Sequence, residues 1–201
     1  MIAPRCDGYL LAGGRSSRMG RDKALLELDG LPFAERIARA MRAAVGRLRV
    51  VGRDAVGEVH GVPDLRPGLG PLAGLEAALA DCEGDAALVV ACDMPFVTEA
   101  FLRLLIGRAA QAPGSAVVPE DAGGRRAPLC GVYPRAALPL VTGLLDAGER
   151  RPRALLDRMP TVLVAFAEYR SLPGAERLTR NVNTPAEYAA LLGGGPEGGD
   201  G

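Results

Sequence analysis

A single histidine, His60, occurs in 201 residues, so neither a histidine-based catalytic triad nor a di-histidine metal site can form. Cysteine is scarce as well. Cys6, Cys82, Cys92 and Cys130 are scattered without C-x-x-C spacing, which leaves no zinc site and no disulfide framework and reads as small buried thiols. Excess charge of one sign is missing: 24 basic side chains meet 24 acidic ones. That balance argues against a general nucleic-acid binder, whose surface carries a basic excess. No apolar run approaches the roughly 20 residues that cross a bilayer. The start, Met-Ile-Ala-Pro-Arg-Cys-Asp, carries no signal-peptide pattern. A cytoplasmic protein with neither nucleic acid nor membrane as partner is expected.

What is present is ordinary globular material, 48% of it apolar. Short apolar runs alternate with amphipathic stretches, the pattern of a parallel sheet covered by helices. Strands are predicted at Gly8–Ala12, Leu48–Val51, Glu58–Val62, Ala86–Ala91, Ser115–Pro119, Leu129–Tyr133 and Thr161–Phe166. Helices are predicted over 32–45, Pro71–Asp81, the stretch capped by Thr98, Ala136–Leu145, Pro152–Met159 and Pro185–Leu192. One domain over 1–192 is expected. The glycine-rich tail 193–201 has too little apolar surface to order itself.

The chemistry concentrates in residues 10–23, Leu-Leu-Ala-Gly-Gly-Arg-Ser-Ser-Arg-Met-Gly-Arg-Asp-Lys. Gly13 and Gly14 release the backbone at a strand end, and three arginines and Lys23 follow. Such a loop presents backbone N–H groups to phosphate oxygens, and its cations offset the charge of a triphosphate. The order is neither a P-loop, since Ala24 follows Lys23, nor a dinucleotide fingerprint.

Asp93 directly follows the apolar run Ala86–Cys92 and is expected at the carboxyl end of a central strand. Ligands of open α/β sheets bind there, and one carboxylate suffices to hold Mg2+ against phosphate oxygens; a helix-capping aspartate is the plainer alternative. Asp64 reads as a second strand exit on the same rim. Gly70 and Gly74 allow close backbone approach, or form a merely tight loop. Arg151 sits in a basic turn suited to phosphate or to solvent. Asn181 and Asn183, expected between a strand and the last helix, suit a polar ligand or a turn.

Taken in order, Leu11-Ala-Gly-Gly14, Arg18-Met-Gly20, Asp22-Lys23, Gly70-Pro-Leu-Ala-Gly74, Cys92-Asp-Met-Pro95, Ala147-Gly-Glu-Arg-Arg151 and Asn181-Val-Asn-Thr-Pro185 resemble the molybdenum cofactor guanylyltransferases, the MobA family. The resemblance spans about Gly8 to Leu192. It implies a three-layer, Rossmann-like α/β nucleotidyltransferase fold with a mostly parallel sheet and helices on both faces. It also implies transfer of GMP from Mg·GTP to the terminal phosphate of Mo-molybdopterin, with pyrophosphate released. Molybdoenzyme apoproteins or their chaperones are the further partners it implies.

By the same resemblance, Leu11, Ala12, Gly13 and Gly14 would contact the nucleotide, with Lys23 on its phosphates. Asp64 and Gly70 would also contact the nucleotide, and Asp93 would bind Mg2+. Lys23, Arg18 and Asp93 would carry catalysis, and Arg151, Asn181 and Asn183 would serve the molybdopterin side. One position departs from the family: Gly52-Arg53 stands where an asparagine can contact the nucleotide. A cytidylyltransferase is the nearest alternative, although such relatives tend to show Leu-Ala-Ala-Gly in place of Leu11-Ala-Gly-Gly14. A sugar-phosphate nucleotidyltransferase is more distant. A non-catalytic nucleotide sensor or cofactor carrier is a rival of another class.

Overall fold

Alternation of side chains along the two central strands determines the layers. The computed structural model describes residues 5–13 and 22–193. In β1 (Cys6–Leu11), Leu10 points to one face while Tyr9 and Leu11 point to the other. A short β2–β3 hairpin follows (Glu27–Leu28 and Leu31–Pro32), then α1 (Phe33–Ala44) and β4 (Arg47–Val51). Next come β5 (Ala55–Val56), β6 (Val59–Val62), α2 (Pro71–Asp81), β7 (Ala86–Ala91) and α3 (Glu99–Gln111). The chain closes with β8 (Ala116–Pro119), β9 (Cys130–Pro134), α4 (Leu138–Asp146), α5 (Pro152–Leu156), β10 (Thr161–Val164), α6 (Phe166–Tyr169) and α7 (Pro185–Gly193).

Eight strands form one sheet in the order β10-β8-β9-β7-β1-β4-β6-β5. The pairs β1–β4, β1–β7, β4–β6 and β8–β10 are parallel, whereas β9 runs against β7 and β8, and β5 against β6. Ile37 and Met41 of α1 join Phe101, Leu102 and Leu105 of α3 against Leu10, Leu88 and Val90. On the opposite face, Leu72, Leu75 and Leu79 of α2 join Val141 and Leu144 of α4 against Tyr9, Leu11 and Val89. The expected mostly parallel, three-layer α/β fold is therefore present.

Several boundaries differ from expectation. The strand expected to end at Phe166 stops at Val164, and Phe166 opens α6, where Glu168 accepts from the Ala165 N–H at 3.0 Å. The helix expected through Met159 is only α5. No strand leads directly into Asn181: α6 and a 3-10 turn at Ala175–Arg177 separate it from β10. Gly193, expected to open the tail, instead ends α7, while residues 194–201 of that tail lie outside the described residues, as do Gly14 and Arg18.

Candidate active site

The chain leaves β1 toward β4 on one side and later returns to place β7 on the other. The carboxyl ends of these strands thus flank a topological switch point, where open α/β sheets bind ligands. A cleft of about 1460 Å³ opens there. Leu11, Ala12 and Gly13 line it from β1, Gly52 and Arg53 from β4, Asp64 from the exit of β6, and Asp93 from the exit of β7. Lys23 and Gly70 complete the wall among the residues expected from sequence. The Cys92 N–H donates to the Leu11 carbonyl at 2.9 Å, so β7 stays paired to β1 up to the residue before Asp93.

Asp93 lies across from Lys23, with Nζ 3.9 Å from Oδ2. Both side chains are mostly shielded, at 18% and 16% exposure for Lys23 and Asp93. Burial raises the Asp93 carboxyl above its ordinary value, and the Lys23 ammonium opposes that shift only in part. Oδ1 of Asp93 is buried and has no hydrogen-bond partner among the described residues. A buried oxygen without a donor is the environment a hard cation completes. Among the described residues, no group of three or more ligand-type side chains could hold a metal.

Asn181 and Asn183 reach the same pair of charges. Lys23 Nζ donates to Asn183 Oδ1 at 2.5 Å, and Asn181 Nδ2 donates to Asp93 Oδ2 at 3.4 Å. Between them Val182 is fully buried and its N–H donates to the Asp93 carbonyl at 2.8 Å. Val182 packs with Leu26, Leu28 and Phe33, so the β2–β3 hairpin, α1 and this segment share one small apolar cluster. Glu187 Oε2 accepts from the Asn183 and Thr184 N–H groups at 2.6 and 3.0 Å, and Thr184 Oγ1 accepts from the Glu187 N–H at 3.2 Å. This reciprocal cap is legible in the spacing Thr184-x-x-Glu187.

The second wall is built differently. Gly70, with φ +83°, precedes Pro71 at the start of α2, where Pro71 has no N–H to donate and the Ala73 N–H turns back to the Gly70 carbonyl at 3.1 Å. Asp64 Oδ1 accepts from the Arg66 N–H at 3.0 Å. The Arg66 side chain then pairs with buried Glu76 at 3.0 Å and with Asp146 at 2.6 Å, tying this loop to α2 and α4. Arg151 stands apart from the cleft lining. It is exposed, and its fork donates to Glu149 at 2.9 and 2.7 Å. Those donors, with the Arg150 and Arg151 N–H groups, hold the Glu149 carboxyl well below the usual carboxylate range. Its neighbour Arg150 lies beside Gly70.

A family model described as the MobA-like NTP transferase domain matches residues 8–162. The chain belongs to that family. The probable molybdenum cofactor guanylyltransferase of Deinococcus radiodurans is 40% identical over 194 residues, covering 94% of each chain. The molybdenum cofactor guanylyltransferase of Pseudomonas syringae is 35% identical over 189 residues, covering 90% of each. Among solved structures, molybdopterin-guanine dinucleotide biosynthesis protein A from Archaeoglobus fulgidus superposes with a TM-score of 0.79 at 25% identity, covering 92% of this chain and 96% of that one. The protein is accordingly an enzyme of the nucleotidyltransferase class.

Proposed function

We propose that this enzyme transfers GMP from GTP to the terminal phosphate of Mo-molybdopterin, forming the guanine dinucleotide and releasing pyrophosphate. The convergence of Lys23 and Asp93, 3.9 Å apart at the end of β7, supports this reading most directly. It does so in a chain whose relatives bear the guanylyltransferase name. An acceptor phosphate oxygen attacks the α-phosphorus of GTP, and the bond from that phosphorus to the bridging oxygen breaks. The acceptor phosphate is already anionic near neutral pH, so the nucleophile needs no protein base.

The chain's task is to bring two anions together and to offset the charge that builds on the departing group. In this reading Leu11, Ala12, Gly13, Asp64 and Gly70 seat the nucleotide. Lys23, steadied by Asn183, supplies positive charge to its phosphates. Gly14 and Arg18, outside the described residues, keep the nucleotide-binding and catalytic roles that the family resemblance gives them. Arg151 is assigned to the acceptor, with its fork held ready on Glu149. Asn181 and Asn183 serve the acceptor side and the Lys23–Asp93 pair together. Asp93 would hold Mg2+, which when bound supplies Lewis-acid stabilisation of the phosphoryl oxygens.

The decisive experiment incubates the protein with Mo-molybdopterin, Mg2+ and each of the four nucleoside triphosphates in turn. Guanine dinucleotide and pyrophosphate are expected with GTP alone. A cytosine dinucleotide formed in preference, or pyrophosphate released with a hexose phosphate as acceptor, overturns the assignment.

A further inference from the structure

We infer that Arg53 is a positioning residue for nucleotide transfer, acting through Asp22 to fix the turn that carries Lys23. This rests on the reaction proposed above and adds a residue to it. The relay begins at a contact between two glycines. Gly52, with φ +84°, follows β4, and a Cβ there would lie 2.4 Å from the Gly13 Cα. A Cβ on Gly13 would in turn lie 3.0 Å from the Gly52 Cα. The ends of β1 and β4 therefore touch backbone to backbone, which only residues without side chains allow.

Beyond that contact Arg53 folds back over the end of β1. Its Nε donates to the Ala12 carbonyl at 2.9 Å, and its Nη2 donates to Asp22 Oδ2. The other oxygen of Asp22 accepts from the Ala24 N–H at 3.1 Å and caps the 3-10 turn Lys23–Leu25. One planar fork thus joins the residues on either side of segment 13–21, and the carboxylate it grips sets the turn bearing the reactive lysine. The bond to Arg53 holds the Asp22 carboxyl below its ordinary value, which keeps the relay charged across the neutral range. Lysine, a point charge on a flexible stem, lacks the rigid fork that serves two such acceptors at once.

The test is a mutant cycle followed by pyrophosphate release, with kcat and KM for GTP, KM for the acceptor and Tm recorded for each variant. Arg53→Ala is expected to lower kcat/KM for GTP by about 10- to 100-fold, as for other residues that orient a reactive side chain. The acceptor KM should hold. Asp22→Asn, which keeps an acceptor for the Ala24 N–H but loses the charge Arg53 grips, is expected to cost a similar factor. In a Lys23→Ala background, Arg53→Ala should add less than about twofold, because two residues acting as one unit are not additive.

Wild-type activity in Arg53→Ala, or an undiminished factor in the Lys23→Ala background, overturns the relay. If Arg53→Ala does not fold, unchanged activity in Asp22→Asn overturns it alone. A wild-type protein that turns over no GTP refutes the proposed reaction instead. The same cycle is then read from GTP affinity by calorimetry, so the two failures remain distinct.

Discussion

Asp93 is a residue whose environment opposes its own charge. Its carboxyl titrates above its ordinary value because it is buried, so the folded state holds a proton that the unfolded chain releases. Between the unfolded and the raised folded value, stability falls as pH rises, and above the folded value the deficit is complete. Asp93→Asn removes that deficit. The free variant is expected to melt above the wild type at neutral pH and to lose turnover. Melting curves with and without Mg·GTP check both halves, since the ligand should stabilise the wild type and leave the variant nearly unmoved. In the wild type, transfer should fall as pH drops through the raised Asp93 value, because a protonated carboxyl cannot hold a cation. Gly52 is the second sensitive residue. Gly52→Ala would drive a Cβ into the Gly13 backbone at a φ that side chains rarely adopt. Loss of GTP binding is expected, read by calorimetry, even where circular dichroism shows the sheet retained.

At the scale of elements, the segment 181–183 is the least conventional part of the site. It belongs to no helix or strand, yet it contacts Lys23 from 160 positions away in sequence and Asp93 from 88. Its position is fixed at one end by buried Val182 and at the other by the Thr184–Glu187 cap of α7. Asn183→Ala should therefore cost transfer about 10- to 100-fold while leaving Tm within a few degrees. Steady-state kinetics beside a thermal melt tests the pair of outcomes.

Sequence reading located β1, α2, β7 and the Thr98 cap of α3 because each rests on a local signal: an apolar run, a proline at a helix start, or a threonine three residues before a donor. It could not assign Asn183 to Lys23, since hydrogen-bond geometry across such a span leaves no periodic trace. Arg53 was visible only as a departure from the family pattern, because its two acceptors, Ala12 and Asp22, come from a different part of the chain. Of the antiparallel β5–β6 hairpin only β6 is expected from sequence, because β5 is just two residues long and carries no periodic signal.

Across the whole molecule, the sheet order places a cleft where β1 parts β4 from β7, and if it binds the nucleotide as proposed, the base it prefers should be visible in global stability. A ligand at a hundred times its dissociation constant adds about 2.7 kcal/mol, or roughly 5–10 °C in a protein of this length. GTP with Mg2+ is expected to give a shift of that order, and CTP a far smaller one, in parallel thermal scans. Equal shifts would remove the base preference while leaving the fold assignment intact. Among the described residues no helix is long and apolar enough to cross a membrane.

The late placement of Asn181 and Asn183 also bears on biosynthesis. All eight strands of the main sheet are complete by Val164, so a nascent chain can assemble its layers before the final segment leaves the ribosome. Until then the lysine and the aspartate lack the two amides that hydrogen-bond them. The sheet is thus finished earlier than competence, and a fragment ending at residue 178 should be inert and should lose the packing of Val182 and Tyr188 on Leu26, Leu28 and Phe33.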